Sequence, residues 1–226
     1  MKKIYSFALA LGSLFIGCST APNNSGERGF TSLFDGKTLN GWFLLDGKGP
    51  GYVVQSGVLV CPENGGGNLL SEKEYSDFIL RLDFKLSPGG NNGIAIRTPN
   101  QSDDLTYSGN EIQVLDDPAP MYKDILPGQH CGSLYGIFPA KTGALKPTGE
   151  WNSYEITANG RKIRVELNGQ VVVDGDLKTV NDPHLLQMHP GVLRDKGHVG
   201  FLGHDAHVEF RNIRIKDLAV GSTGQK

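Results

Sequence analysis

Short stretches in which apolar and polar residues alternate recur along most of this chain, and they predict β-strands. The clearest is SDFILRLDFKL at residues 76–86. Its apolar positions are Phe78, Leu80, Leu82, Phe84 and Leu86. Side chains of a strand alternate between its two faces, so this stretch predicts a strand with one face in a core and a charged face outside.

Turn-forming pairs separate these stretches. Ser56-Gly57, Asn159-Gly160 and Asn168-Gly169 each lie between two alternating runs and predict β-hairpins. Near the C-terminus the alternation slips at Arg211-Asn212, which predicts a β-bulge. Helical periodicity is almost absent, so the chain is predicted to be an all-β sandwich or jelly roll of antiparallel strands.

Length and charge indicate a single acidic domain. The chain has 226 residues, 31 of them glycine, and a formal net charge of −2. We predict one domain over residues 29–220 and a C-terminal tail over residues 221–226. No basic run exceeds two residues, which argues against a nucleic-acid partner.

The N-terminus has the features of a targeting segment. Lys2 and Lys3 precede the apolar run 4–16, and Gly17-Cys18 follows. The stretch LFIGC resembles a bacterial lipobox, which predicts a lipoprotein signal peptide over residues 1–17, a lipid on Cys18 and a polar tether over residues 18–28. The tether has no acidic cluster, so we expect a membrane-anchored protein on the periplasmic side. The alternative is an ordinary secretory signal with an incidental cysteine.

Two further cysteines, Cys61 and Cys131, remain in the domain. An oxidising periplasm permits a disulfide between them, but the sequence gives no reason to place them within bonding distance. We expect two separate buried thiols.

The stretch 93–117 carries the first candidate site. In GIAIR and NEIQVL the isoleucines and valine fall on one face, which leaves Arg97, Glu111 and Gln113 on the other. If these strands are neighbours, a guanidinium, a carboxylate and an amide converge on one surface. Such a group suits a hydroxyl-rich ligand. A solvated sheet face with an Arg–Glu pair is the alternative reading.

The proline-rich segment 117–141 shows neither helical nor strand periodicity. A segment this long inside a compact domain is typical of a functional loop. We expect it to cross the open face of the sheet and to bring His130, Tyr135 and Lys141 to a site.

Six motifs in order resemble one known family. They are FTSLFDGKTLNGWF, GIAIR, NEIQVLDD, GEWNSYEI, VELNGQVV and GFLGHDAHVEFRNIRI. Together, over about residues 30–218, they resemble the 3-keto-disaccharide hydrolase domain family. The resemblance implies a concanavalin A-like jelly roll and cleavage of glycosides previously oxidised at C3. It also implies that the concave face is lined by Arg97, Glu111, Gln113, Asp116 and His204.

The chemistry implied by the resemblance begins at the ketone, which acidifies the hydrogen on C2. Glu111 or His204 is the candidate base, and Arg97 is the candidate partner of the enolate oxygen. Asp116 is a candidate acid for the leaving oxygen, with His130 and Lys141 as alternatives. Asp205 joins Gln113, His130, Tyr135 and Lys141 as candidate substrate-binding residues.

Three alternatives remain open at this point. Direct hydrolysis by two carboxylates ranks lower, because the E-x-D-x-(x)-E strand motif of such relatives is absent and Glu111 and Asp116 would point to opposite faces. A non-catalytic carbohydrate-binding module would use aromatic platforms such as Trp42, Trp151 and Tyr107. We expect no cofactor; a divalent metal on histidine and aspartate is a minority alternative, since no tight ligand spacing is present.

Overall fold

The structure is a computed structural model that describes residues 28–101 and 104–219. The strands of these residues are β1 (Thr31–Ser32), β2 (Trp42–Lys48), β3 (Val53–Gln55), β4 (Val58–Cys61), β5 (Gly66–Tyr75), β6 (Phe78–Leu86), β7 (Asn91–Thr98), β8 (Asn110–Leu115), β9 (Trp151–Asn159), β10 (Lys162–Leu167), β11 (Gln170–Asp176), β12 (Gly197–Gly203) and β13 (Val208–Asp217). The helices are α1 (Leu105–Ser108) and α2 (Pro183–Met188), with 3-10 turns at Pro120–Tyr122, Pro127–Gln129 and Leu177–Thr179.

The strands form two antiparallel sheets that face each other. One sheet has the order β11-β10-β9-β6-β13-β4-β3, with β1 also paired to β13. The other sheet has the order β2-β5-β12-β7-β8. The predicted all-β jelly-roll sandwich is therefore confirmed.

The core lies between the sheets and is built from the alternating positions of the strands. Along β6 the residues alternate between buried and half-buried, as the sequence pattern predicts. Phe201 of the five-stranded sheet contacts Phe210 of the larger sheet, with ring centroids 4.4 Å apart. This contact joins the two layers across the core.

The predicted hairpins and the predicted bulge are confirmed. Strands β3 and β4 pair across Ser56-Gly57, where Ser56 has a φ of +50°. Strands β9, β10 and β11 form a continuous meander. The register of β13 against β6 shifts between Arg211 and Arg214, and Asn212 lies in the left-handed region with a φ of +54°.

Cys61 and Cys131 are both free and buried, which confirms the expectation of two separate thiols. The Cys131 sulfur lies 3.1 Å from the hydroxyl oxygen of Tyr154. Burial raises the pKa of Cys61 to about 11 and that of Cys131 to about 12. Both groups are therefore neutral thiols at physiological pH.

The predicted signal peptide, the tether, the lipidated Cys18 and the C-terminal tail at 221–226 lie outside the described residues. These assignments stay predictions. No helix within the described ranges is both long and apolar enough to span a membrane.

Part of the segment that follows β8 pairs with that strand. Its residues 132–135 run along the outer edge of β8. The Gln113 amide donates to the Ser133 carbonyl at 3.0 Å, and the Tyr135 amide donates to the Glu111 carbonyl at 2.9 Å. Because β8 is the edge strand of its sheet, its unpaired backbone groups take this segment as an additional partner.

Candidate functional site

A cavity of about 190 Å³ lies beside the last two strands of the five-stranded sheet, β7 and β8. Its lining residues are Asn91, Asp104, Thr106, Tyr107, Glu111, Gln113, Tyr135 and His204. Ile94 and Ile112 of these strands are in the core, so their neighbours Glu111 and Gln113 face away from it. The alternation thus places a carboxylate and an amide together, as the sequence predicts.

A glycine makes room for the carboxylate. Gly93 pairs with Gln113 across the two strands. A Cβ atom built on Gly93 would overlap the Glu111 carboxylate, and the nearest atom would be Oε1. The Glu111 side chain therefore lies over the bare backbone of Gly93, and any larger residue at position 93 would displace it.

Glu111 combines deep burial with an unused oxygen. The residue is 3% exposed, and its Oε1 atom has no hydrogen-bond partner among the described residues. Leaving a buried acceptor unpaired costs about 1–3 kcal/mol. A buried carboxylate that lines a cavity and has an oxygen without a hydrogen bond is positioned to bind a ligand.

His204 faces Glu111 and forms an ion pair with it when the imidazole is protonated. Its Nε2 atom lies 3.9 Å from Glu111 Oε1, which is an ion-pair separation and too long for a direct hydrogen bond. The Glu111 carboxylate raises the pKa of His204, against the opposing effect of burial. The His204 side chain is 45% exposed, so it stands between the cavity and solvent.

Two tyrosines form an aromatic side of the cavity. The rings of Tyr107 and Tyr135 meet edge to face, with centroids 6.3 Å apart, and the His189 ring packs against Tyr107 at 5.0 Å. Gln129 Nε2 donates to the Tyr135 hydroxyl oxygen at 2.9 Å, so the hydroxyl proton of Tyr135 remains available to another acceptor. Burial raises the pKa of Tyr107, which keeps this phenol neutral.

Arg97 does not share this surface, which corrects the sequence prediction. It has a φ of +50°, and the register of β12 against β7 shifts opposite it. The strand alternation breaks at this bulge, and the guanidinium turns away to the Ser76 carbonyl at 2.8 Å, the Gly160 carbonyl at 2.7 Å and Asp77 Oδ1 at 3.0 Å. Arg97 is 1% exposed, and its guanidinium connects the turn between β5 and β6 to the turn between β9 and β10.

Asp116 and His130 also lie away from the cavity lining, contrary to expectation. The Asp116 carboxylate accepts hydrogen bonds from the Gly89 amide at 2.8 Å and from the Thr148 hydroxyl, so it fixes two loops. His130 Nδ1 lies 3.3 Å from Asp117 Oδ2. Burial raises the pKa of Asp117.

Lys141 and Asp205 are the other two predicted site residues that do not line the cavity. Lys141 is exposed, and its backbone amide donates to the Val172 carbonyl at 3.0 Å. Asp205 forms a surface ion pair with Lys48 at 2.9 Å. Of the nine predicted catalytic and substrate-binding residues, the structure therefore brings together Glu111, Gln113, Tyr135 and His204.

The three aromatic residues considered as sugar platforms of a binding module do not lie together. Tyr107 lines the cavity, whereas Trp42 is in the core and donates its indole N–H to the Leu33 carbonyl at 2.8 Å. Trp151 lies on the larger sheet under the guanidinium of Arg211, 3.9 Å from its ring centroid.

Sequence reasoning missed Asn91, Asp104 and Thr106. Asn91 had a usable signal, because it shares the alternation of Gly93 and Ala95 and so falls on the face of Glu111. Asp104 and Thr106 are brought in by α1, where Asp104 caps the helix by accepting from the Thr106 amide at 3.1 Å. A four-residue helix leaves no periodic signal in the sequence.

No cluster of three or more histidine, cysteine, aspartate or glutamate side chains within residues 28–101 and 104–219 has the arrangement to hold a metal ion. The cavity supplies a single His–Glu pair from this set, together with Asp104 at its rim.

Known proteins resemble this chain over most of its length. A curated 3-keto-disaccharide hydrolase from Bacteroides thetaiotaomicron is 30% identical, and the match covers 84% of this chain and 79% of that protein. Two crystal structures of candidate glycosyl hydrolases from Parabacteroides distasonis are 29% and 25% identical, with TM-scores of 0.70 and 0.69. Each match covers 84% of this chain, and 99% and 94% of the respective structure.

A more distant structure supports the fold alone. It is a Bacillus subtilis protein with a galectin-like fold, 12% identical, with a TM-score of 0.52 over 79% of this chain and 90% of that one. The closer relatives support a carbohydrate-active protein of the glycosidase type. Residues 29–216 match the family described as the 3-keto-alpha-glucoside-1,2-lyase-like domain, and the chain belongs to this family.

Proposed function

We propose that this protein cleaves glycosides whose sugar ring carries a ketone at C3, by removing the C2 proton and expelling the C1 substituent. The observation that carries the proposal is the Glu111 carboxylate, which is buried and whose Oε1 atom makes no hydrogen bond among the described residues and lies 3.9 Å from Nε2 of His204, a histidine of raised pKa. The names of the family and of the Bacteroides relative support the substrate class.

The size of the cavity fits one sugar ring. About 190 Å³ is less than the roughly 300–1,000 Å³ of pockets that enclose drug-sized ligands. The oxidised ring would occupy the cavity, and the leaving group would lie outside it near the half-exposed His204.

Glu111 is the proposed base. Its free oxygen takes the proton from C2, and the electron pair of the broken C–H bond moves to form a C2–C3 double bond with negative charge on the C3 oxygen. General base catalysis of this kind contributes about 10²–10⁴-fold to the rate.

The tyrosines take the role that the sequence analysis gave to Arg97. Tyr135 has a hydroxyl proton free to donate because its oxygen already accepts from Gln129. Tyr107 beside it is a neutral phenol. Donors fixed in this way stabilise a developing oxyanion without reorganising.

His204 is the proposed acid. When the C3 carbonyl re-forms, the C1–O bond breaks, and the imidazolium gives its proton to the departing oxygen. This leaves a double bond between C1 and C2. Water then adds its hydroxyl to C1 and a proton returns to C2, so the net reaction is hydrolysis.

An aryl 3-keto-glucoside, assayed in D₂O beside the unoxidised aryl glucoside, tests this function. We expect release of the phenol from the keto compound alone, and deuterium at C2 of the sugar product. Release without deuterium would replace elimination by direct hydrolysis. Saturable binding without release would instead identify a carbohydrate-binding module.

The acid role of His204 predicts a pH dependence. Because the pKa of His204 is raised, its imidazolium persists to higher pH than a free histidine, and kcat should fall as pH rises through that raised pKa. His204→Asn should remove this alkaline limb and lower kcat by about 10²-fold or more.

His130→Asn is the matched control for the pH profile. His130 faces Asp117 and does not line the cavity, so the wild-type limb should persist in this variant. An unchanged profile in His204→Asn would contradict the acid assignment.

A further inference from the structure

Three buried acceptor atoms that line the cavity have no hydrogen-bond partner among the described residues. They are Glu111 Oε1, Gln113 Oε1 and Asn91 Oδ1. Each unpaired buried acceptor is costly. Their concentration in one cavity indicates a ligand that brings several donors, and the hydroxyl groups of a sugar are such donors.

Among the described residues, no donor bonds the Oδ1 atom of the Asn91 side chain. Its neighbour Asn92 shows the contrast. Asn92 Nδ2 donates to the Tyr52 hydroxyl at 3.1 Å, and Asn92 Oδ1 accepts from the Gly93 amide at 3.0 Å. Asn92 faces the interior and supports the fold, whereas Asn91 presents an unused oxygen to the cavity.

The distance between Asn91 and Glu111 determines which part of a bound sugar ring Asn91 can contact. Asn91 and Gly93 are two residues apart on β7, about 6.6–6.8 Å along the strand. The Glu111 carboxylate lies over Gly93. A pyranose ring with its hydroxyls spans a gap of this order, so a ring whose C2 lies at Glu111 extends its far side towards Asn91.

We propose that Asn91 is a substrate-binding residue that accepts a hydrogen bond from a hydroxyl on the far side of the ring, on C4 or C6, and so selects for that hydroxyl. The inference rests on the proposed function, because that function places C2 at Glu111. A site built to pair with a hydroxyl discriminates strongly against an analogue that lacks it.

The test is a cycle between Asn91→Ala and deoxygenated substrates. Wild type and variant are compared on an aryl 3-keto-glucoside and on its 4-deoxy and 6-deoxy analogues, with kcat/KM as the readout. We expect wild type to lose about 10–100-fold on one analogue, which is the factor that corresponds to one buried acceptor left unpaired. Asn91→Ala should lose a similar factor on the parent and little more on that same analogue.

The control variant is Asn92→Ala. Because its amide bonds lie within the fold, this change should lower the Tm and show no preference among the three substrates. Asn91→Ala removes an unpaired acceptor and should leave the Tm unchanged or raise it. Equal losses of Asn91→Ala on all three substrates, or no loss on any, would overturn the proposal.

Failure of the proposed function gives a different result. If wild type releases no phenol from the parent compound, the cleavage proposal fails, and the same cycle is then measured as binding by calorimetry. Coupling between Asn91 and one hydroxyl in the binding constants would still support the assignment, and its absence there would overturn it.

Discussion

Replacing Glu111 with glutamine is expected to lower kcat on a 3-keto-glycoside by about 10²–10⁴-fold while the protein remains folded and binds the substrate. Glutamine has the size of glutamate but takes no proton. The Oε1 atom of Glu111 has no hydrogen-bond partner among the described residues, and the change removes an ion pair with His204, a side chain that is 45% exposed and therefore screened by solvent. The Tm should therefore stay close to that of wild type.

A spectroscopic readout accompanies the loss of turnover. The Glu111 carboxylate is the main cause of the raised pKa of His204, so Glu111→Gln should lower the His204 pKa when the ring is titrated by NMR. Exchange of the C2 hydrogen with D₂O should also stop. Near-normal turnover in this variant would remove Glu111 from the mechanism.

Glu209→Gln is the matched control. Glu209 is on the larger sheet, where its carboxylate pairs with Lys85 at 2.7 Å, and it does not line the cavity. The same chemical change at this position should leave both kcat and the His204 titration unaltered.

Replacing Arg97 with methionine is expected to destabilise the protein by about 3–5 kcal/mol, in the lower part of that range, without changing the kcat of the folded protein. The guanidinium is 1% exposed and supplies hydrogen bonds to Asp77 and to the carbonyls of Ser76 and Gly160. Its loss removes the donor from the carbonyls of Ser76 and Gly160 and the cation beside Asp77, whose Oδ1 still accepts from the Gly160 amide at 2.8 Å. Asp77 is 35% exposed, so water compensates part of the effect.

Two measurements distinguish a structural role of Arg97 from a catalytic one. They are the free energy of unfolding in denaturant and the kcat of the protein that remains folded. For a domain of this size, 1 kcal/mol corresponds to a Tm change of about 2–4 °C. Lys48→Met removes the cation of an exposed pair, Lys48–Asp205, which is worth about 0–1 kcal/mol, and serves as the control. An Arg97→Met protein with wild-type stability and no activity would restore the catalytic reading.

Strand alternation was a reliable guide wherever a face is buried. The alternating burial along β6 and the shared face of Glu111 and Gln113 follow from the two-residue period of a strand. The same rule places Asn91, Gly93 and Ala95 on one face of β7, the face of Glu111. Asn91 supplies the third unpaired acceptor of the cavity. The sequence could predict the facing of these positions because a one-residue shift in strand register would bury polar groups and expose the core.

The rule failed at Arg97 because the bulge there depends on the pairing of β7 with β12, which are about 100 residues apart in the chain. Nothing local to GIAIR signals a positive φ at an arginine. The sequence also could not predict the path of residues 132–135 along β8, because that path depends on the backbone groups that an edge strand leaves unpaired.

By itself the sequence determined the sandwich, the hairpins and the pairing of a carboxylate with an amide on one face, because these depend on side-chain periodicity and on turn residues. Only the tertiary structure decided which charged groups belong to the cavity. It brought His204 to Glu111 and turned Arg97, Asp116 and His130 to other partners. These choices depend on contacts between distant segments, where a buried charge is fixed by whichever partner the packing brings near.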